Sequence, residues 1–151
     1  MNNKLIIGSD HAGFKLKESI KAFLDKHKID YEDVGPQKYD KNDDYPYYSI
    51  NVAEKVAKLK CMGVIIGLSG EGEAIAANKV KGIRAVLYYG GNKKIVKLSR
   101  EHNDSNILSL GAGFLSSNEA NEAVKLWLKT PFSKHPRHVR RLKEISRFEK
   151  R

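Results

Sequence analysis

The chain has 151 residues, 40% of them hydrophobic and 30% charged, with a net charge of +10. This describes one domain, residues 1–151, with an ordinary core, and no segment approaches the ~20 apolar residues of a membrane span. The lone cysteine, Cys61, excludes an internal disulfide and fits a reducing compartment, so the Asn103-Asp104-Ser105 glycosylation triplet carries no weight.

Met1-Asn2-Asn3-Lys4 runs, without a signal-peptide pattern, into a strand-like Leu5-Ile6-Ile7-Gly8, and a cytoplasmic location is expected. That strand ends in Ser9-Asp10-His11-Ala12-Gly13, and Phe14, Leu16, Ile20, Phe23 and Leu24 then recur at helical spacing up to Asp25. Residues 29–34 predict a second strand, closed by Gly35-Pro36. Residues 37–48 are polar and irregular, broken by Pro46, and are expected to form a mobile loop. A helical pattern covers 50–57, Val64-Ile65-Ile66 is a third strand, and a helix starts at Glu73. Residues 84–89 predict a fourth strand, 92–101 a short helix and 106–110 a fifth strand, followed by Gly111-Ala112-Gly113. Residues 118–128 form an amphipathic helix around Ala120, Val124, Trp127 and Leu128, and 137–148 form a last, very basic helix. Strands alternating with helices through short loops predict an α/β fold: a Rossmann-like three-layer sandwich with a mostly parallel five-stranded sheet, helices on both faces and a C-terminal basic helix. Such sheets bind ligands at the carboxyl ends of their strands.

The positive charge is compatible with nucleic acid, an anionic small substrate or a lysine-rich proteome. The lysines are spread as on solvated helix faces, except where Lys134, Arg137, Arg140, Arg141, Lys143 and Arg147 crowd the C-terminus. No nucleic-acid motif is present.

The richest motif is Gly67-Leu68-Ser69-Gly70-Glu71-Gly72-Glu73, between an aliphatic run and an Ala-rich helix. Glycines let the backbone approach a ligand and turn N–H groups inward, and the helix that follows adds a positive dipole end. The loop lacks both the P-loop lysine and the third glycine of a dinucleotide fingerprint, since Ile75 stands there. An anion cradle with a carboxylate on its rim suits proton abstraction beside a carbonyl, the N–H groups holding the enediolate oxygen. Glu73 is the candidate base, kept ionised by the dipole; it could equally be a helix N-terminal acid, and Glu71 competes for the role. Asp10 caps a helix or, with His11, holds sugar hydroxyls or phosphate. His102, within Arg100-Glu101-His102-Asn103-Asp104, could move a proton to or from a ring oxygen or simply end a helix. Arg137 and Arg141, four apart, match phosphate geometry or a solvated helix face. The five histidines lack zinc-type spacing, so no metal is expected.

Residues 7–14, Asp44-Tyr45-Pro46, the glycine loop with residues 75–79, Gly82-Ile83-Arg84-Ala85, residues 99–104 and Arg137-His138 with Arg141 together resemble the type B ribose-5-phosphate isomerases, a family that also holds galactose- and allose-6-phosphate isomerases. The resemblance runs in order along almost the whole chain. It implies reversible interconversion of ribose 5-phosphate and ribulose 5-phosphate in the pentose phosphate pathway, without cofactor or metal, by a homodimer or tetramer whose active sites are shared between subunits. It implies Glu73, His102 and Ser69 as catalytic residues. Asp10, His11, Tyr45, Leu68, Gly70, Glu71, Gly72, Asn103, Arg137, His138 and Arg141 are implied as substrate-binding. Where one branch carries a cysteine base, this chain has Gly67, so the resemblance assigns the base to Glu73 of the glutamate branch. Where many members carry an arginine after the fifth strand, this chain has Gly113. A six-carbon phosphosugar substrate, a phosphosugar-binding protein without activity and a basic nucleic-acid-binding domain are the competing readings; neither nucleic acid nor membrane is expected as a partner.

Overall fold

The structure, a computed structural model, describes residues 4–151; the signal-peptide reading of Met1 to Asn3 lies outside the described residues. Five strands form one sheet: β1 (Leu5–Ser9), β2 (Tyr31–Asp33), β3 (Gly63–Gly67), β4 (Ala85–Tyr88) and β5 (Ile107–Gly111). Their order is β2-β1-β3-β5-β4, and every pairing is parallel. The helices are α1 (Phe14–Lys26), α2 (Tyr45–Leu59), α3 (Glu71–Ala77), α4 (Lys94–Asn103), α5 (Ser117–Lys129) and α6 (Pro136–Phe148). No helix is long and apolar enough to cross a membrane among the described residues.

The continuous aliphatic runs of β1, β3 and β5 are buried on both faces, as parallel strands require. Alternation divides them between two cores. Ile7, Val64, Ile66, Leu108 and Leu110 meet Ile20, Leu24 and Trp127 beneath α1, α4 and α5. Ile6, Ile65 and Ile107 meet Val52, Val56 and Ala77 beneath α2 and α3. Trp127 is fully buried, and its indole N–H donates to Ser105 Oγ at 2.8 Å, so its one polar group is satisfied.

Two segments depart from the sequence reading. The segment expected as a loop to Tyr48 turns helical at Tyr45, and Pro46 lies in the first turn of α2, where its missing N–H has no intrahelical partner to lose. The preceding residues are tied down: Asp43 N–H donates to Asp40 O, Asn42 N–H to Asp40 Oδ1, and Asp43 bonds across to His11. At the start of this segment, the fully buried Lys17 amine donates to Asp33 Oδ2 at 2.6 Å and to Pro36 O at 2.9 Å. A buried ammonium needs such partners, and here they anchor the chain leaving β2. Strand β2 is shorter than expected because Asp30 and Val34 only flank its three-residue ladder.

Candidate active site

α1 leaves β1 toward β2 on one face, while α3 leaves β3 toward β4 on the other. The crevice between the carboxyl ends of β1 and β3 is therefore a topological switch point, the place where open α/β sheets receive ligands. β1 delivers Asp10 and His11 to it, and β3 delivers the glycine loop and Glu73.

Asp10 is buried, and its Oδ1 accepts the Gly13 N–H at 3.0 Å, so it does cap the turn into α1. Burial raises its pKa against that hydrogen bond and the nearby His11. His11 is partly exposed, and its Nδ1 lies 2.6 Å from Asp43 Oδ1, which also accepts the His11 backbone N–H at 2.9 Å. This hydrogen bond raises the imidazole pKa, with smaller help from the Asp10 and Asp43 charges. Nothing in the sequence marks Asp43, one acid in the run Asn42-Asp43-Asp44, 32 residues from His11.

The loop after β3 is locked from β5. Ser109 Oγ donates to Gly70 O at 2.6 Å, Ala112 N–H to Gly67 O at 2.8 Å and Gly113 N–H to Leu68 O at 2.9 Å. With its carbonyls engaged on that side, the N–H groups of Ser69, Gly70 and Gly72 have no partner among the described residues. Gly70 has φ of 79°, which only glycine adopts without strain. Ser69 Oγ accepts the Glu71 N–H at 3.2 Å and shapes the turn. Tyr45 lies over Gly72, where an added Cβ would come within 2.7 Å of its ring.

Glu73 and Glu71 part company here: Glu71 is exposed, whereas Glu73 is buried. The Glu73 carboxylate fills the space above Gly67, where an added Cβ would stand 1.6 Å from Glu73 Oε1. Against the helix dipole expected to favour the carboxylate, the surroundings shift Glu73 toward its protonated form. Burial dominates and raises its pKa, the Asp10 charge adds to the rise, and only its own backbone N–H opposes it.

The remaining predicted residues are not brought to this crevice. α4 runs back from the carboxyl end of β4 to the amino end of β5, so His102 and Asn103, in its last turn, lie at the opposite end of the sheet. Arg84, just before β4, marks this end by donating to the carbonyls of Asn103 and Asp104 at 3.0 and 2.9 Å. The His102 ring stacks on His138, with centroids 4.2 Å apart. Arg137 Nε donates to His138 Nε2 at 3.3 Å, so His138 Nδ1 carries the proton and donates to Ser133 Oγ at 2.8 Å. Desolvation, then His102, Arg137, His135 and Arg141, lower the His138 pKa. Arg141 stands one turn beyond Arg137 on α6. The polar knot of residues 100–104 is partly structural, since Arg100 donates to Asp104 Oδ1, Ser105 O and Thr130 O.

Asp10, His11 and Asp43 each offer an atom within 4.8 Å of the others, the only such group among the described residues that could hold a metal ion. Two ligands on one tetrahedral zinc stand about 3.3 Å apart. The 2.6 Å separation of His11 Nδ1 and Asp43 Oδ1 is that of a hydrogen bond sharing a proton. A cavity of about 590 Å³ opens at the amino end of the sheet among Leu5, Cys61, Arg84 and Arg100, and none of the predicted site residues lines it.

The fold and site define an open α/β protein with a buried carboxylate and a nest of backbone donors at its switch point. The model of the Ribose/Galactose Isomerase family matches residues 5–145, and the chain belongs to that family. It is 39% identical to the ribose-5-phosphate isomerase B of Mycolicibacterium paratuberculosis, over 97% of this chain and 92% of the relative. The Clostridium thermocellum ribose-5-phosphate isomerase B structure has a TM-score of 0.91 at 41% identity, covering 97% of each chain. The Mycoplasma genitalium ribose-5-phosphate isomerase B, solved with bound ribulose-5-phosphate, has a TM-score of 0.93 at 38% identity, covering 99% of this chain and 98% of the other.

Proposed function

We propose that this chain is an aldose–ketose isomerase interconverting ribose 5-phosphate and ribulose 5-phosphate through an enediolate, with Glu73 as the proton carrier. The observation that carries this reading is the Glu73 carboxylate, buried over Gly67 beside the free N–H groups of Ser69, Gly70 and Gly72. Glu73 takes the proton from C2 of the open aldose and returns it to C1. As the double bond shifts from C1–O1 through C1–C2 to C2–O2, O1 gains a proton and the C2 hydroxyl gives one up, so the step balances without an external oxidant or reductant. Each loop N–H aimed at the enediolate oxygen is worth roughly 2.7–4 kcal/mol, by analogy with oxyanion-hole donors. The raised pKa makes Glu73 a stronger base than an exposed carboxylate, while ionised Glu73 is still required for the first transfer.

Arg137 and Arg141 hold the phosphate, and His102 assists ring opening, with Asn103 beside it. Because these residues sit at the other end of the sheet from Glu73, each site is completed by a second copy of the chain. Exposed Leu68, Ile75, Tyr89 and Phe114 around the glycine loop suit such a contact. The expected location is the cytoplasm, and the domain spans the chain.

The test is ketose formation from ribose 5-phosphate by purified protein in excess EDTA, beside Glu73→Gln. Turnover in the wild type and a loss of about 10²–10⁴-fold in the variant, with substrate binding retained, is the expected result. Near wild-type turnover in the variant removes Glu73 from its role. Gly113 offers no side chain to the phosphate, so that contact falls to the α6 arginines. Faster turnover of allose or galactose 6-phosphate would mark a six-carbon specificity.

A further inference from the structure

We propose that Asp43 is a positioning residue for His11: its carboxylate takes the Nδ1–H and fixes the ring so that Nε2 faces the phosphosugar as a donor. This inference rests on the isomerase reading for its substrate, and not for its geometry.

Three observations carry it. Asp43 Oδ1 accepts twice from the same residue, from the His11 ring at 2.6 Å and from the His11 backbone N–H at 2.9 Å, which sets both the ring and the chain that bears it. The Asp43 side chain is 6% exposed while that of His11 is 33% exposed, so the buried partner holds and the accessible partner presents. Asp43 Oδ2 is buried with no hydrogen-bond partner among the described residues. The hydrogen bonds this carboxylate accepts among the described residues are thus the two from His11. The Nε2 of His11 likewise has no protein partner among the described residues.

The groups facing His11 are Asp10 from its own turn and Asp43 and Tyr39 from the segment before α2, Tyr39 meeting the imidazole edge-on at 6.3 Å. The two charged neighbours that act on the ring, Asp10 and Asp43, are both acids. The ring is therefore held as an imidazolium beyond the pH at which an isolated histidine releases its proton. Nε2–H then serves as a charged donor to an oxygen of the bound sugar phosphate, and charge-assisted bonds of this kind are about twice as strong as neutral ones. Fixing the far nitrogen of a histidine with a carboxylate is a general way to set tautomer and aim.

The experiment is a titration of the His11 ring by NMR in wild type and Asp43→Asn, joined to a kinetic cycle of Asp43→Asn, His11→Ala and the double variant on ribose 5-phosphate. Asparagine keeps an acceptor for the ring and removes the charge, so folding is expected to survive; circular dichroism checks this, and Asp43→Glu is the second variant if it does not. The His11 pKa should fall in Asp43→Asn, and kcat/KM should drop roughly 10- to 100-fold at pH 8, with recovery toward pH 6 where the ring is again charged. In the His11→Ala background Asp43→Asn should cost nothing further, because a positioning residue acts only through its partner. Asp43→Glu should restore part of the loss. An unchanged His11 titration, or fully additive losses in the cycle, overturns the proposal. The titration needs no turnover, so failure of the isomerase reading is seen separately, as an inactive wild type.

Discussion

At the carboxyl end of the sheet, Glu73 and Asp10 are buried carboxylates, with pKa values pushed up by desolvation and positions set by strand ends and a glycine loop locked from β5. At the amino end, His102, Arg137, His138 and Arg141 are carried by two surface helices, and of the four only His138 is buried. One end buries its acids and places the Glu73 carboxylate in one volume over Gly67. The other is cationic, its rings tilted against each other and tied by the His138 hydrogen bonds to Arg137 and Ser133. Proton abstraction needs a fixed base whose ionised form is unfavourable, which a rigid core supplies. Phosphate capture needs charge and reach, which long side chains on helices supply. Under the proposed function, two such groups on opposite ends of one chain need a second copy to meet in one site.

The sharpest way to break this comparison is Gly67→Ala. The new methyl would stand on the Glu73 carboxylate, so activity should fall about 10²-fold or more while phosphate binding, measured by calorimetry with inorganic phosphate, changes little. Loss of both together would show that the ends are not separable. Next comes a mixing experiment. Glu73→Gln and the double variant Arg137→Ala/Arg141→Ala should each be nearly inactive, and subunit exchange between them should restore about a quarter of wild-type sites by random pairing. No recovery after verified exchange would place the whole site in one protomer. Core truncation should act without regard to either end: Trp127→Ala should destabilise by about 3–5 kcal/mol in denaturant unfolding, since it empties a fully buried site and removes the indole hydrogen bond to Ser105.

The smallest effects are on pH-dependent stability, and the two ends should pull in opposite directions. Folded Glu73 keeps its proton to higher pH than the unfolded chain does, so stability is lost as pH rises through that interval. Glu73→Gln never ionises and should melt at a higher temperature than wild type at pH 7, with the difference vanishing below pH 4. Folded His138 instead gives up its proton at lower pH than the unfolded chain, so stability is lost as pH falls below about 6.5. His138→Gln should flatten that acid decline in melts between pH 8 and 5.

The strands were legible because uninterrupted aliphatic runs bounded by glycine leave few alternatives. The start of α2 was not, because Tyr45-Pro46 reads as a break unless one knows that the proline falls in a first turn. Glu73 could be picked out, but the direction of its pKa shift could not: a sequence shows the helix dipole and hides the burial that raises the pKa. His102 and the arginines could be named but not located, since only the strand order places the last turn of α4 at the far end of the sheet. Asp43 was invisible because its meaning is a contact with His11 made through the fold.

The space left by Gly67 also couples two positions of the sequence. A Cβ at 67 would stand 1.6 Å from Glu73 Oε1, so any side chain there displaces the carboxylate from the place it now holds. What residue 67 can be is thus bounded by where residue 73 lies, and the strand end and the helix start act as one unit of packing.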